Sequence, residues 1–267
     1  MTLQMRFLVT CRRSFGPTPL GLADIALRTH RLWARLSPGV LALTRRDTLT
    51  QAELLTWRTH VGVNECIGSP IMPNSSPLTI AVLLGSVRTD RQGIKAARLL
   101  LSALEDRGHE AVLVDPMVTR LPLLDRMYKE YPKGSAPVDL EQLATLYRRA
   151  DGFLLVSAEY NHGVPPALKN LLDHFLEEYM WRPSAITCYS AGGFGGVRAA
   201  MQLRMILGEL GMPSIPSLFS IPHIGDALAD DGRPKDERTT KQMNRFLDEF
   251  EWYAQALRRQ REHGTPY

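Results

Sequence analysis

From residue 78 onward, short apolar runs alternate with segments of helical pattern. The first run, residues 78–84, is continuously apolar and rich in β-branched side chains, as expected for a strand buried on both faces of a sheet. Strands that alternate with helices favour a parallel sheet with right-handed crossovers. Five such strands predict an α/β fold with a doubly wound parallel sheet of order 2-1-3-4-5 and helices on both faces.

The predicted elements occupy the part of the chain after residue 76. The predicted strands are residues 79–84, 110–114, 152–157, 185–190 and 214–219. The predicted helices are residues 93–107, 140–149, 166–179, 197–210 and 237–261. In an open parallel sheet, ligands bind where the carboxyl ends of the strands meet the following loops. The loops after strands one, three and four are therefore the candidate site.

The first loop, Gly85-Ser-Val-Arg-Thr-Asp-Arg-Gln-Gly93, connects a strand to a helix. A helix start, a hydroxyl and arginines suit a phosphate group, because backbone N–H groups, the helix dipole and guanidinium groups all favour an anion. The loop matches neither the P-loop pattern nor the dinucleotide-binding glycine pattern. Taken alone, it could equally be an exposed turn with solvated arginines.

The central loop, residues 159–165, lies between strand three and helix three. It offers an aromatic ring at Tyr160, an amide at Asn161 and a glycine at Gly163, followed by two prolines. The flat edge of a ligand would find both a ring and hydrogen-bonding groups there. Pro166 suits the first turn of the helix, where its missing N–H costs little.

The glycine loop, residues 190–196, carries four glycines within five residues after strand four. Glycines allow backbone to come very close to a ligand, although a flexible connector would use them as well. Three such loops on neighbouring strands converge on one edge of the predicted sheet. Together they indicate a ligand site more strongly than any one of them does.

These residues resemble the NADPH-dependent FMN reductase family of flavodoxin-like proteins, which includes quinone, azo-dye and chromate reductases. The resemblance covers residues 78–256 and rests on Gly85-Ser-Val-Arg88, on Glu159-Tyr-Asn161 with Pro166-Ala-Leu-Lys-Asn170, and on Ser190-Ala-Gly-Gly193. Two departures stand out. The family commonly has proline where this chain has Ala158, and its first loop often carries Ser and Asn where this chain has Arg91 and Gly93.

The resemblance implies bound FMN as cofactor and NADPH, with NADH as an alternative, as electron donor. For the FMN phosphate it implies contacts from Ser86, Arg88, Arg91, Gln92, Gly93 and Ile94. For the isoalloxazine ring it implies Glu159, Tyr160, Asn161, His162 and Gly163, with Ser190, Gly192 and Gly193 on the other edge. Since the flavin performs the redox chemistry, no side chain is predicted to act as nucleophile or general base, and no metal is expected.

The function that follows is an FMN-dependent NAD(P)H oxidoreductase, which passes electrons to a small acceptor such as a quinone, an azo compound or chromate. An organoarsenical or metal-oxyanion reductase of the same fold is one alternative. An FMN-binding electron carrier or redox regulator without fast NADPH turnover is another, and a flavin-free binding module is a third. The resemblance also implies a homodimer or homotetramer.

Charge is concentrated in the first 76 residues, which hold nine arginines, no lysine and four acidic residues. The rest of the chain has a net charge of −1, so nucleic acid is not expected as a partner. We expect residues 1–76 to be an extension, disordered or outside the core fold, and residues 77–267 to form the FMN-binding domain. A functional protein that begins at Met72 and an organelle transit peptide are the alternatives for the extension.

Compartment and membrane association follow from simple counts. The chain contains three cysteines, Cys11, Cys66 and Cys188, without metal-ligand spacing. This usage favours a reducing cytoplasm. No run approaches the roughly 18 apolar residues of a transmembrane helix, so no membrane partner is expected.

Overall fold

The computed structural model describes residues 76–267. The predictions for the N-terminal extension concern residues that lie outside this range. Within it, the strands are β1 (Thr79–Leu84), β2 (Glu110–Val114), β3 (Gly152–Ala158), β4 (Ser184–Tyr189) and β5 (Ser214–Ile221). All four strand pairings are parallel, and the sheet order is β2-β1-β3-β4-β5. The predicted order is confirmed.

Six helices accompany the sheet in the described residues. They are α1 (Gly93–Asp106), α2 (Val138–Arg149), α3 (Pro166–Asp173), α4 (Val197–Glu209), α5 (Ile224–Ala227) and α6 (Glu237–Glu262). The sequence pattern did not predict α5, nor a single 3-10 turn at Tyr128–Glu130. Most other predicted boundaries agree with the structure to within two residues, the usual uncertainty at element ends.

Helix α3 is shorter than predicted, ending at Asp173 instead of residue 179. A tertiary hydrogen bond competes with the next helical turn, because the backbone N–H of Tyr128 donates to the carbonyl oxygen of His174 at 2.8 Å. The chain then passes through turns that bury Phe175 and Tyr179 against Tyr147, with ring centroids 4.9 and 5.3 Å from that of Tyr147. The prediction of one continuous helix over residues 166–179 is therefore wrong.

The sheet separates two apolar cores. Strand residues alternate between them, so Val82 of β1 packs on the side of α1 and α6, whereas Leu83 packs on the side of α2, α3 and α4. All seven residues of β3 are buried, as expected for a central strand that is covered on both faces. Burial also raises the pKa of the Cys188 thiol to about 12, so this cysteine acts as a small apolar side chain.

No helix in residues 76–267 combines the length and the apolar character that a membrane crossing requires.

Gly152, the first residue of β3, is required by close packing. A Cβ atom at this position would lie 2.7 Å from Cζ of Phe250 on α6 and 3.3 Å from the carbonyl oxygen of Pro183. We expect Gly152→Ala to lower the free energy of unfolding by about 1–3 kcal/mol, because the buried ring must shift. Urea denaturation measures the change.

Gly208→Ala is the matched control. This glycine lies inside α4, and no heavy atom lies within 4 Å of a Cβ placed there. The variant should be as stable as the wild type or more stable by up to about 1 kcal/mol, because alanine favours helix. Equal unfolding midpoints for the two variants would contradict the packing of Phe250 against β3.

Candidate functional site

Three loops meet at the carboxyl edge of the sheet. The parallel register pairs Leu84 of β1 with Val156 of β3, and Ala158 of β3 with Tyr189 of β4. The loops that follow these strands therefore emerge side by side. One hydrogen bond joins the first two directly, since the hydroxyl oxygens of Ser86 and Tyr160 lie 2.7 Å apart.

The first loop contains one buried hydroxyl and one exposed arginine. Ser86 is only 1% exposed, whereas Arg88 points into solvent. The predicted phosphate ligand Arg91 is already engaged, because its guanidinium pairs with both carboxylate oxygens of Asp115 and donates to the carbonyl oxygen of Ser86 at 3.0 Å. Arg91 thus fixes the first loop to the end of β2.

The ion pair between Arg91 and Asp115 is favoured by its surroundings. Burial alone would raise the pKa of the Asp115 carboxyl group, but hydrogen bonds from Arg91 and from the backbone N–H of Met117 outweigh it and lower the pKa. The carboxylate is therefore ionised at neutral pH and stays paired with Arg91. Sequence reasoning did not identify Asp115.

The start of α1 presents backbone rather than side-chain groups. Gln92 and Ile94 are half-buried, and Gln92 donates from its side chain to the carbonyl oxygen of Asp90 at 3.2 Å. No side chain caps the helix, and no acidic residue lies in its first turn. Gly93 is buried against the ring of Tyr189, and a Cβ atom at Gly93 would collide with the Tyr189 hydroxyl.

The central loop contains a two-residue turn of left-handed backbone. Asn161 has φ 50° and His162 has φ 66°, while Tyr160 and Gly163 exchange backbone hydrogen bonds at 3.0 and 2.9 Å. Asparagine and histidine tolerate this conformation better than most residues. The turn therefore holds Asn161 and His162 exposed at the edge of the sheet.

Two side chains on α4 hold the central loop, and sequence reasoning missed both. Arg198 donates from Nε to a carboxylate oxygen of Glu159 at 2.6 Å, and its backbone N–H donates to the other at 3.1 Å. One turn later, Gln202 donates to the carbonyl oxygen of His162 at 3.2 Å and accepts from the backbone N–H of Val164 at 3.3 Å. Their spacing of four residues on a helix after the glycine loop was the available signal.

The Glu159 carboxylate faces Arg198. Burial alone would raise the pKa of the Glu159 carboxyl group, but the hydrogen bonds from the side chain and backbone of Arg198 lower it overall. The predicted role of Glu159 at the ligand can thus come from its backbone, while its side chain holds the loop.

The glycine loop brings three predicted residues to the same edge. Ser190 donates from its hydroxyl to the carbonyl oxygen of Gly192 at 2.8 Å. A Cβ at Gly192 would meet nothing within 4 Å, and one at Gly193 would lie 3.5 Å from Nε2 of His223. His223 lies beside this loop, with its ring nitrogen Nδ1 3.1 Å from the carbonyl oxygen of Ala191. The open side of Gly192 leaves room for a ligand.

A hollow lies beside the first loop. It has a volume of about 280 Å³, and its lining combines apolar side chains with polar ones: Val87, Leu121, Leu123 and Ala167 on the one hand, Thr119, Arg120 and Asn170 on the other. Val87 and Leu123 are 47% and 84% exposed, which is high for large apolar side chains. A larger hollow of about 460 Å³ lies elsewhere, between the Tyr128 turn and the end of α2. Within residues 76–267, no cluster of three His, Cys, Asp or Glu side chains could hold a metal ion.

Known proteins resemble this chain over the segment that carries the three loops. A model of the NADPH-dependent FMN reductase family matches residues 78–226. A quinone reductase of Pseudomonas putida is 31% identical over 184 residues, which cover 66% of this chain and 94% of that protein. A quinone reductase of Escherichia coli K12 is 32% identical over 137 residues, 50% of this chain and 71% of that protein.

The fold of this chain also resembles that of a solved structure. The flavoenzyme FerB from Paracoccus denitrificans, an NAD(P)H:(acceptor) oxidoreductase, matches with a TM-score of 0.57 and 26% identity. The match covers 67% of this chain and 98% of that one. The likeness therefore includes the whole sheet and not the loops alone.

The ion pair of Glu159 with Arg198 should make stability depend on pH. We expect Glu159→Gln to lower the free energy of unfolding at pH 7 by about 1–2 kcal/mol, because a charged acceptor is lost. The folded-state pKa of Glu159 is lowered, so the stabilisation is present above the unfolded-state pKa and is lost as pH falls through the folded-state value. The difference from wild type should therefore shrink below about pH 4.5. Denaturant titrations across this range measure it.

Glu237→Gln provides the comparison for a solvent-exposed pair. Glu237 pairs with Lys241 on the surface of α6, with 81% and 72% of their side chains exposed. Its loss should change the free energy of unfolding by less than about 0.5 kcal/mol. If Glu159→Gln and Glu237→Gln change the free energy of unfolding equally, Arg198 does not anchor the central loop.

Proposed function

Because this chain belongs to the NADPH-dependent FMN reductase family, with FMN as cofactor and NAD(P)H as electron donor, we propose that it reduces quinone-type acceptors at the carboxyl edge of its sheet. The observation that carries this proposal is the hydrogen bond between Ser86 and Tyr160. It joins the loop suited to a phosphate to the loop suited to a flat ring. A single elongated ligand such as FMN would contact both.

The described residues fit the phosphate end of FMN. Ser86 offers a buried hydroxyl, Arg88 an exposed positive charge, and Gly93 and Ile94 the backbone of an uncapped helix start. Anions are stabilised at such a position by the helix dipole and by N–H groups. We assign Arg91 to holding the loop, because its guanidinium is already bound to Asp115.

The central and glycine loops fit the ring end. In our proposal the ring lies between the turn at residues 160–163 and the open face at Gly192 and Gly193, with Ser190 at the edge. Left-handed backbone at Asn161 and His162 presents main-chain groups to the edge of the ring. Glu159 contributes backbone there, while its side chain and Arg198 keep the turn in place.

When bound, FMN itself would accept and donate the electrons. The protein then needs to provide binding, orientation and electrostatics. The first loop fixes one end of the cofactor, and α4 holds the turn that contacts the other through Arg198 and Gln202. No side chain in the site is required as nucleophile or general base.

The hollow beside the first loop supports a flat, weakly polar acceptor. Val87, Leu121 and Leu123 border it, close to the first loop and the start of α3. Relatives at 31% and 32% identity are named quinone reductases, and a relative from Bacillus is named an NADPH azoreductase at 28% identity. The apolar side chains Val87, Leu121 and Leu123 give a quinone ring a surface to pack against.

We also propose that the protein is a homodimer or homotetramer. The segment after β2 exposes Val118, Leu123 and Leu124, which are 81%, 84% and 41% accessible. A second copy of the chain could cover this apolar surface beside the hollow. Light scattering of the purified protein tests the assembly. A cytoplasmic location stays a prediction.

The proposed function is tested by visible absorption of the purified protein, first with added FMN and then with NADPH under anaerobic conditions. A bound-flavin spectrum that bleaches rapidly is expected, followed by reoxidation when a benzoquinone is added. Bound flavin that remains oxidised would favour an electron carrier or regulator instead. A colourless protein that binds no FMN would contradict the proposal.

Arg88→Ala should weaken FMN binding without unfolding the protein. Loss of a charge-assisted hydrogen bond to phosphate costs about 1.5–3 kcal/mol, so the dissociation constant should rise by roughly 10- to 150-fold. Quenching of FMN fluorescence measures it. Arg245→Ala, an exposed arginine on α6, is the control and should bind as the wild type does. Unchanged affinity in Arg88→Ala would exclude Arg88 as a phosphate ligand.

A further inference from the structure

Tyr189, the last residue of β4, directs a buried phenol towards the start of α1. The residue is 5% exposed and belongs to the apolar core on the α1 side of the sheet. A Cβ placed on Gly93 would lie 2.7 Å from Cζ and 2.8 Å from Cε1 of the Tyr189 ring, and it would collide with the hydroxyl. The phenol therefore occupies the space that a side chain at position 93 would need.

The hydroxyl of Tyr189 joins a small polar group at the base of the first loop. Ser86 and Tyr160 are the other members, with their oxygens 2.7 Å apart. Burial raises the pKa of Tyr189 to about 12, while hydrogen bonding from the Ser86 side chain and the Gly93 backbone opposes the rise. The phenol therefore keeps its proton at neutral pH. That proton can be donated to an acceptor at the start of α1, where the Gly93 backbone and the Tyr189 hydroxyl lie in contact.

These three hydroxyls come from the loop after β1, the loop after β3 and the end of β4, and the Tyr189 hydroxyl lies at an uncapped helix start. A phosphate group brings several acceptor oxygens, and charge-assisted hydrogen bonds to such oxygens are stronger than bonds between neutral groups. The arginine nearest to the helix start, Arg91, is bound to Asp115. The buried donors at this position are therefore hydroxyl and backbone N–H groups.

We propose that Tyr189 is a phosphate-binding residue, whose hydroxyl donates to the FMN phosphate beside Ser86 and requires glycine at position 93. This assignment rests on the proposed FMN site and adds a ligand from β4 that the sequence comparison with the family did not indicate. In this assignment β4 contributes to both ends of the cofactor. Ser190, directly after the strand, lies at the ring, and Tyr189, its last residue, reaches the phosphate. The side chain reaches from the end of β4 to the start of α1.

Tyr189→Phe tests the assignment by removing one oxygen atom. The dissociation constant for FMN should rise by about 10- to 100-fold, the effect of losing a hydrogen bond to a charged group. The dissociation constant for riboflavin, which lacks the phosphate, should not change. Tyr147→Phe is the matched control, because Tyr147 is fully buried in the opposite core. Its affinity for both ligands should equal that of the wild type.

The outcomes separate this assignment from the proposed function. If the wild-type protein binds no FMN, the proposed function fails. If the wild type binds FMN and Tyr189→Phe binds it equally well, only the role of Tyr189 is overturned. Equal losses for FMN and riboflavin would also overturn it, because the hydroxyl would then act on another part of the cofactor or on the fold.

A structure of the wild-type FMN complex gives the same test without a variant, should Tyr189→Phe fail to fold. A phosphate oxygen within about 3.0 Å of the Tyr189 hydroxyl is expected, as for a hydrogen bond between oxygens. A separation beyond about 3.5 Å would overturn the assignment.

Discussion

The candidate site depends on the position of β3, which is hydrogen-bonded to β1 on one side and to β4 on the other. All of its residues are buried, so its register is fixed by both cores. A shift by one residue would exchange the faces of the strand and separate the loops that follow. The meeting of Ser86 with Tyr160 is therefore a consequence of how the two apolar cores pack.

Helix α4 holds the central loop in one conformation. Left-handed backbone at two consecutive non-glycine residues costs about 1 kcal/mol each. Hydrogen bonds from Arg198 to Glu159 and from Gln202 to the carbonyl of His162 offset that cost. Because Arg198 and Gln202 lie one turn apart, a single helix face positions the whole turn. Rigid support of this kind is what a site that orients a cofactor requires.

The first loop departs from the family pattern at two positions, and each departure has a structural partner. Arg91 pairs with Asp115 at the end of β2, which ties the loop to the neighbouring strand. Gly93 leaves space that the Tyr189 ring fills. The partners are 24 and 96 residues away in sequence. Both positions therefore make contacts with residues that end or directly follow other strands.

The residue pattern along the chain predicts the strand order and the three loops that meet at one edge, because buried parallel strands and turns favour characteristic residue types. It did not determine the end of α3, which a hydrogen bond from Tyr128 sets, or the contacts of Arg91, Glu159 and Tyr189. Those contacts join residues far apart in the chain. They are set by the packing of the folded chain, since a side chain's partner depends on which strands and helices lie beside it.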